Sequence, residues 1–346
     1  MKTIRVIVTG AGSIVGQGIL KSLRRCSLPV QIICTDIAAL NAGLFRADEA
    51  EILPKVESPG ALETWIEAIT RLRADVLMIG SEFDLEFFSR NRRRIESDTG
   101  CVVVASPPET VVIADDKVVT AEFLASHNLP FPKTGTPSSL QDAHAWATAM
   151  RYPIVLKPRS GTSARHVQII KDDESLRYWF PRTPRPMLQQ YLEPLSTSIG
   201  GEFTCSVFST ADGSLLGPFV SRRTLRGGSS WMVEVVDIPE VSELVAGIGK
   251  LLPSVGSLNV QLMLTERGPV PFEFNARFSG TTPIRAYFGF NEPEMAIRSY
   301  FLREKIPPPE IRKGLCIRYI EEIMLEGFSP DGLPEKFPRG VVNSWF

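Results

Sequence analysis

The stretch VPFEFNARFSGTT (270–282) sets Glu273 and Asn275 two residues apart among phenylalanines, then adds Arg277 and a run of small residues. Just upstream, NVQLML (259–264) leads into the turn-rich TERGP. Paired as a hairpin centred near Arg267, the two runs place Gln261 opposite Glu273 and Asn259 opposite Asn275. Alternation then gathers Asn259, Gln261, Glu273 and Asn275 on one face, and Val260, Leu262, Leu264, Phe272 and Phe274 on the other. A carboxylate flanked by side-chain amide oxygens suits a hard cation such as Mg²⁺, which keeps waters and completes its shell from phosphates; Mn²⁺ takes the same donors. A surface hairpin with one wet face gives the same alternation. Taken alone, the pattern supports both readings equally.

Cations elsewhere bear on that choice. YPIVLKPRSGTSAR (152–165) delivers Lys157 at the end of a strand-like run, ahead of small residues that include Gly161, Thr162 and Ser163. Backbone N–H groups of such a loop can cradle phosphate oxygens while the lysine adds a point charge. Lys117 follows Asp115 and Asp116 and opens a helical segment. Arg222, Arg223 and Arg226 in SRRTLRGG precede a Gly-Gly-Ser-Ser run, where a merely charged strand is the plain alternative. Arg285, just past the hairpin, is a candidate for a substrate carboxylate. RNRRR (90–94) reads as a solvated helix face. His127, His144 and His166 make no triad with a serine or cysteine, so side-chain nucleophilic catalysis is not expected.

The elements that must hold these residues fall into two styles. Up to about residue 112, β-branched runs (IRVIVT, VQIICTD, ADVLMIG, CVVVAS) alternate with helical-period segments, which predicts a parallel sheet with crossover helices. Beyond it, runs at 202–209, 214–221, 231–236, 256–265 and 270–275 predict antiparallel strands joined by turns. The fold class is therefore α/β followed by α+β. At 346 residues the chain is long enough for two or three lobes. A formal net charge of −1 removes any global argument for nucleic acid or an acidic membrane surface. Five scattered cysteines without a C-x-x-C pair suit a reducing, cytoplasmic setting, and no apolar run approaches a membrane span. A homodimer is only the default expectation.

The order of these motifs resembles the ATP-grasp superfamily, especially proteins similar to the carbamoyl-phosphate synthase large subunit and the lysine ligase of pyrrolysine biosynthesis. The resemblance implies a Rossmann-like pre-ATP-grasp domain (1–112), an ATP-grasp N-terminal lobe (113–190), a C-terminal lobe with the metal site (191–310), and a strand or hairpin extension (311–346). DDKVVTAEFL and VLKPRSGTSARHV resemble the segments carrying the two phosphate-binding lysines, Lys117 and Lys157, with Gly161, Thr162 and Ser163 in the loop over the phosphates. MLQQYLE resembles the adenine hinge, assigning Gln189, Gln190, Tyr191 and Leu192 to the base. GGEFTCSVF matches the strand whose glutamate, here Glu202, holds the ribose. NVQLML and FEFNAR match the metal strands, which assigns Gln261, Glu273 and Asn275 to Mg²⁺. Arg277, with Arg226, falls to the transferring phosphate, and Arg222 and Arg223 to phosphate or acyl groups of the substrate; Arg285 is a substrate candidate by its position alone. The sequence departs from the pattern at Gln189, where an acid is common, and at 163–166, where relatives carry more glycines.

The activity implied is ATP-dependent joining of a small-molecule carboxylate to an amine through an acyl phosphate. A rival class is an NAD(P)-binding oxidoreductase: TGAGSIVG with Asp36 resembles a dinucleotide fingerprint, although Gly10, Gly12 and Gly16 are spaced G-x-G-x-x-x-G. A third reading is a non-catalytic nucleotide-binding protein.

Overall fold

A computed structural model describes residues 2–161, 166–195, 199–329, 337 and 340. Its first hundred residues alternate strand and helix: β1 (Ile4–Val8), α1 (Ile14–Leu23), β2 (Val30–Asp36), β3 (Glu49–Ile52), α2 (Ala61–Leu72), β4 (Val76–Met78), α3 (Glu82–Thr99) and β5 (Val102–Val104). The strands form one parallel sheet of order β3-β2-β1-β4-β5. Both faces are covered. Val6 and Val8 pack with one apolar cluster and Ile7 with another, all fully buried, which is why the strands read as unbroken apolar runs.

Two helices, α4 (Pro108–Asp115) and α5 (Lys117–Ser126), lead into a small antiparallel sheet. It is built from β6 (Thr134–Gly135), α6 (Leu140–Met150), β7 (Ile154–Pro158), β8 (Gln168–Ile170), α7 (Asp173–Trp179) and β9 (Pro186–Gln190), with strand order β6-β9-β7-β8. Helices α6 and α7 seal one face of that sheet through Ala143, Ala147 and Leu176. Its other face, carrying Val155, Lys157 and Gln189, is left toward a cleft.

The remaining elements are β10 (Glu202–Ser209), β11 (Leu215–Phe219), β12 (Ser221–Arg226), β13 (Ser229–Val235), α8 (Pro239–Leu251), β14 (Gly256–Thr265), β15 (Gly268–Asn275), α9 (Thr282–Tyr287), α10 (Glu292–Ala296) and β16 (Gly314–Ile317). They form a seven-stranded sheet, β15-β14-β10-β12-β13-β16, with β11 on β10. Within the C-terminal extension, β16 pairs with β13 as an edge strand of the large sheet. No helix among the described residues is long and apolar enough to cross a membrane, and the five cysteines are free.

The β14–β15 hairpin has the expected register at its far end: Gln261 opposes Glu273 and Asn259 opposes Asn275. Near the turn, however, Leu262 opposes Pro271, so one extra residue, Phe272, is bulged between two regular pairings. The expectation that Phe272 joins the dry face is corrected on this ground. Pro271 takes that place against Leu262, while Phe272 and Glu273, adjacent in sequence, both face the cleft.

Candidate functional site

Lys117 is the first residue of α5, and its position is fixed on both sides. Asp116 caps the helix by accepting the Val118 N–H (2.9 Å) and is gripped by the Arg159 guanidinium (2.7 Å). The Lys117 N–H donates to the Arg159 carbonyl (2.9 Å), stitching the helix start to the end of β7. Asp116 and Arg159 were not singled out from the sequence, though an acid just before a helix is a legible cap signal. The Lys117 ammonium reaches the Gly161 carbonyl at 3.2 Å.

Lys157 enters the same space from β7. Its side chain is buried, donates to Gln189 Oε1 (2.8 Å) and lies 5.6 Å from the centre of the Phe272 ring. Burial pushes the ammonium down to about 8; the Glu273 carboxylate opposes that shift and Lys117 reinforces it. A buried cation held below its ordinary range, with a single amide oxygen as its hydrogen-bond partner among the described residues, is poised for an anion. Gln189 therefore serves Lys157 with its side chain, whereas Gln190, Tyr191 and Leu192 line the cavity beyond it.

Facing the lysines across a cavity of about 280 Å³ are Glu202, Arg223, Gln261 and Glu273 from the large sheet. Arg223 donates to Glu202 Oε1 (2.6 Å), Gln261 Oε1 (2.8 Å) and Ser230 Oγ (3.1 Å). Glu273 Oε1 accepts from Gln261 Nε2 (3.2 Å) and Asn275 Nδ2 (3.3 Å). One carboxylate and two amides converge; rotating the Asn275 amide presents its oxygen, and Gln261 does the same by giving up its bond from Arg223. Among the described residues no three acidic, His or Cys side chains cluster as a self-sufficient metal cage. The trio thus fits a Mg²⁺ that draws its other ligands from phosphates and water.

A second cavity, about 370 Å³, shares Arg223, Gln261 and Glu273 with the first and extends to Asn275, Arg277, Ser81 and Glu82 at the edge of the parallel sheet. Arg277 is ion-paired with Glu82 and donates to the Phe278 carbonyl (2.9 Å), so it joins the hairpin to the first helix-and-sheet layer.

Three expected arginines are placed differently. Arg285 is wholly buried, its fork divided between Glu292 (3.1 Å) and Asn259 Oδ1; a guanidinium enclosed and neutralised in this way offers nothing to a substrate carboxylate. Arg222 forms a cross-strand pair with Glu234 (2.5 Å), its direct neighbour on β13. Arg226 is exposed and stacks on Trp231, 4.6 Å from the ring centre, away from both cavities. Strand alternation sends Arg222 and Arg226 away from the cleft and Arg223 into it. Thr162 and Ser163 lie outside the described residues.

The glycine turn after β1 differs from the cleft. Gly12 N–H donates to Asp36 Oδ2 (2.7 Å), while Asp36 Oδ1 accepts from Ile37 N (2.8 Å) and Ala38 N (3.3 Å). Both oxygens that a dinucleotide ribose would meet are already engaged by the turn itself, Oδ1 twice and Oδ2 once. Gly16 is required for packing, since a Cβ there would lie 2.3 Å from the Gly10 carbonyl oxygen.

Residues 114–281 match the family model for the ATP-grasp domain. The chain carries an ATP-grasp domain. Over 198 residues it is 27% identical to the carbamoyl phosphate synthase large chain of Mycobacterium tuberculosis, a span of 54% of this chain and 18% of that protein. The corresponding protein of Gemmatimonas aurantiaca is 23% identical over 279 residues, 72% of this chain and 24% of the relative. The chain therefore spans less than a quarter of the length of these curated relatives. Among solved structures, N5-carboxyaminoimidazole synthetase from Staphylococcus aureus complexed with ADP superposes with a TM-score of 0.72 at 14% identity, covering 92% of this chain and 82% of the other. The biotin carboxylase domain of 2-oxoglutarate carboxylase from Hydrogenobacter thermophilus gives 0.73 at 15% identity, covering 100% and 84%. At such identities the likeness speaks for the fold: a parallel-sheet layer followed by the antiparallel lobes of an ATP-grasp domain.

Proposed function

We propose that the ATP-grasp domain binds Mg·ATP in the cleft between β7–β9 and the β14–β15 hairpin and activates a small-molecule carboxylate for attack by an amine. The observation that carries this reading is convergence. Lys117 and Lys157 from one lobe, and Gln261 and Glu273 from the other, line a single cavity although up to 156 positions separate them in sequence.

In the proposed assignment, the base lies against Gln190, Tyr191 and Leu192, the ribose hydroxyls meet Glu202, and the two ammonium groups hold phosphate oxygens. Glu273, Asn275 and Gln261 would hold Mg²⁺, whose charge would offset that of the phosphates. A carboxylate oxygen in the second cavity attacks the γ-phosphorus, and the bond to the ADP oxygen breaks, giving an acyl phosphate. The amine lone pair then forms the C–N bond, phosphate departs with the C–O electron pair, and the nitrogen releases its proton to phosphate or water. Such a reaction asks the protein chiefly for positioning and charge stabilisation. In this assignment Arg277 and Arg223, which line the second cavity, would meet that charge, and Arg226 has no part.

The test is ADP release from Mg·ATP with pooled carboxylates and amines. Glu273→Ala should keep the wild-type far-ultraviolet circular dichroism and lower substrate-dependent turnover by roughly 10²–10³-fold, as loss of a preorganised charge contact does. Undiminished turnover in this variant would remove the metal assignment.

A further inference from the structure

Beyond the two cavities of the proposed active site lies a third, about 910 Å³, between α1, α9 and the chain following β16. It meets the second cavity at Ile14, Gly280 and Arg318, which line both. Three cations face it from three separate parts of the chain: Lys21 on α1, Arg46 before β3, and Arg318 just past β16. Among the described residues none of the three has an acid within 4.0 Å, whereas nearby Arg24 and Arg298 are matched by Asp48 (2.8 Å) and Glu294 (2.9 Å). Arg318 sits at the junction, one nitrogen fixed on the Gly280 carbonyl at 2.6 Å and the rest of its fork free of any hydrogen bond within the described structure.

We propose that Lys21, Arg46 and Arg318 form an anion subsite that holds a phosphate or carboxylate at the far end of the second substrate, remote from the group that reacts. The identity of that molecule as a substrate rests on the ligase reading; the subsite itself does not. Like charges that share a cavity with no directly paired acid among the described residues repel one another, and a bound anion relieves this. The lysine bears the mark of it: burial lowers the Lys21 ammonium from its ordinary range, Arg318 and Arg46 lower it further, and Glu321 opposes the shift. Glu321 and Glu322 face the same cavity but make no ion pair with the three cations, so they temper the positive field without cancelling it. A planar guanidinium fork with a neighbouring ammonium is the chemistry that grips an oxyanion.

The experiment titrates the whole protein, saturated with MgADP, with inorganic phosphate and in parallel with acetate, at constant ionic strength set with chloride. Melting temperature and calorimetric Kd are read. Phosphate or acetate should raise the melting temperature of the wild type, as a ligand of the folded state must. Lys21→Gln and Arg46→Gln should each weaken Kd about tenfold, the loss of one charged contact, while Arg93→Gln on the exposed face of α3 changes nothing. Because Lys21 is exposed on α1, its variant tests the subsite without depending on the half-buried Arg46 and Arg318. Whichever anion binds names the chemistry. Failure of both anions overturns the inference, as does binding that MgADP abolishes or that neither variant weakens. Absence of any MgADP-induced shift would count against the ligase reading alone.

Discussion

Two regions of this chain carry the small residues and charges of a nucleotide site, the turn after β1 and the cleft under Phe272. They differ in what their polar groups already hold. At the turn, Asp36 accepts three backbone N–H groups and Ser13 caps α1 while bonding the Gly80 carbonyl (2.5 Å), so its principal acceptors are consumed by the fold. In the cleft, among the described residues, Lys157 is buried against one amide oxygen and Glu273 accepts two long bonds from neighbouring amides. A site satisfied by its own chain stabilises a turn; a buried cation with unmet capacity awaits a ligand. Motif spacing cannot separate the two cases, because both present glycines, an acid and a helix start.

The contrast breaks most visibly at Lys157. Lys157→Met should weaken MgADP binding by at least about 10²-fold, since a buried ammonium contributes through a charge-assisted contact in low dielectric. The same change should raise the melting temperature, because the fold no longer encloses a cation. The pH dependence has a definite sign. The ordinary value is 10.5 and the folded value about 8, so between these the unfolded chain binds more protons and the lysine's effect on stability grows more favourable as pH rises. Nucleotide affinity runs the other way, falling as pH passes above about 8 and the free protein loses the charge that meets phosphate. A wild-type Kd for MgADP that stays flat from pH 7 to 9.5 would separate Lys157 from the phosphates.

How much of this was legible beforehand depended on whether local pattern or tertiary closure decided it. The alternation of apolar runs and helical segments foretold the parallel sheet, because a strand covered on both faces has no polar residue to hide. The opposition of Gln261 to Glu273 was legible as well, yet for an incomplete reason. The turn alone sets a register that is one residue off, and the bulge at Phe272 restores the pairing. A bulge leaves no mark in a run of six residues, so Phe272 was assigned to the dry face. Arg285 illustrates a different blindness: its burial depends on Glu292, Asn259 and Thr204, which only the closed sheet brings together.

At the turn, Asp36→Asn sharpens the same contrast with a smaller effect. The substitution keeps the shape and turns an NH₂ group or a neutral oxygen toward N–H donors that now meet a carboxylate. Leaving one such donor unsatisfied should cost about 1–3 kcal/mol, read as a lower midpoint in urea with an unchanged slope. MgADP affinity at the cleft should not move. Binding of NAD(P)H, followed by fluorescence transfer, should be absent in wild type and variant alike; a signal in the wild type that Asp36→Asn abolishes would return the turn to the nucleotide class.

The smallest effect is expected where sequence proximity misled most. Arg222, Arg223 and Arg226 fall within five residues, yet β12 turns only Arg223 toward Glu202 and Gln261. Arg226 stacks on Trp231 in solvent, an arrangement worth about 0.5–1 kcal/mol at an exposed site. Arg226→Gln should therefore leave MgADP affinity and ADP release within about twofold of wild type, the range expected for a surface change distant from the site. Arg223→Gln, which strips the shared partner from Glu202 and Gln261, should weaken MgADP by about tenfold, the scale of one charge-assisted contact. Equal losses in the two variants would mean that the β12–β13 hairpin closes over the cleft when nucleotide is bound, bringing Arg226 to a phosphate it does not reach in the ligand-free arrangement.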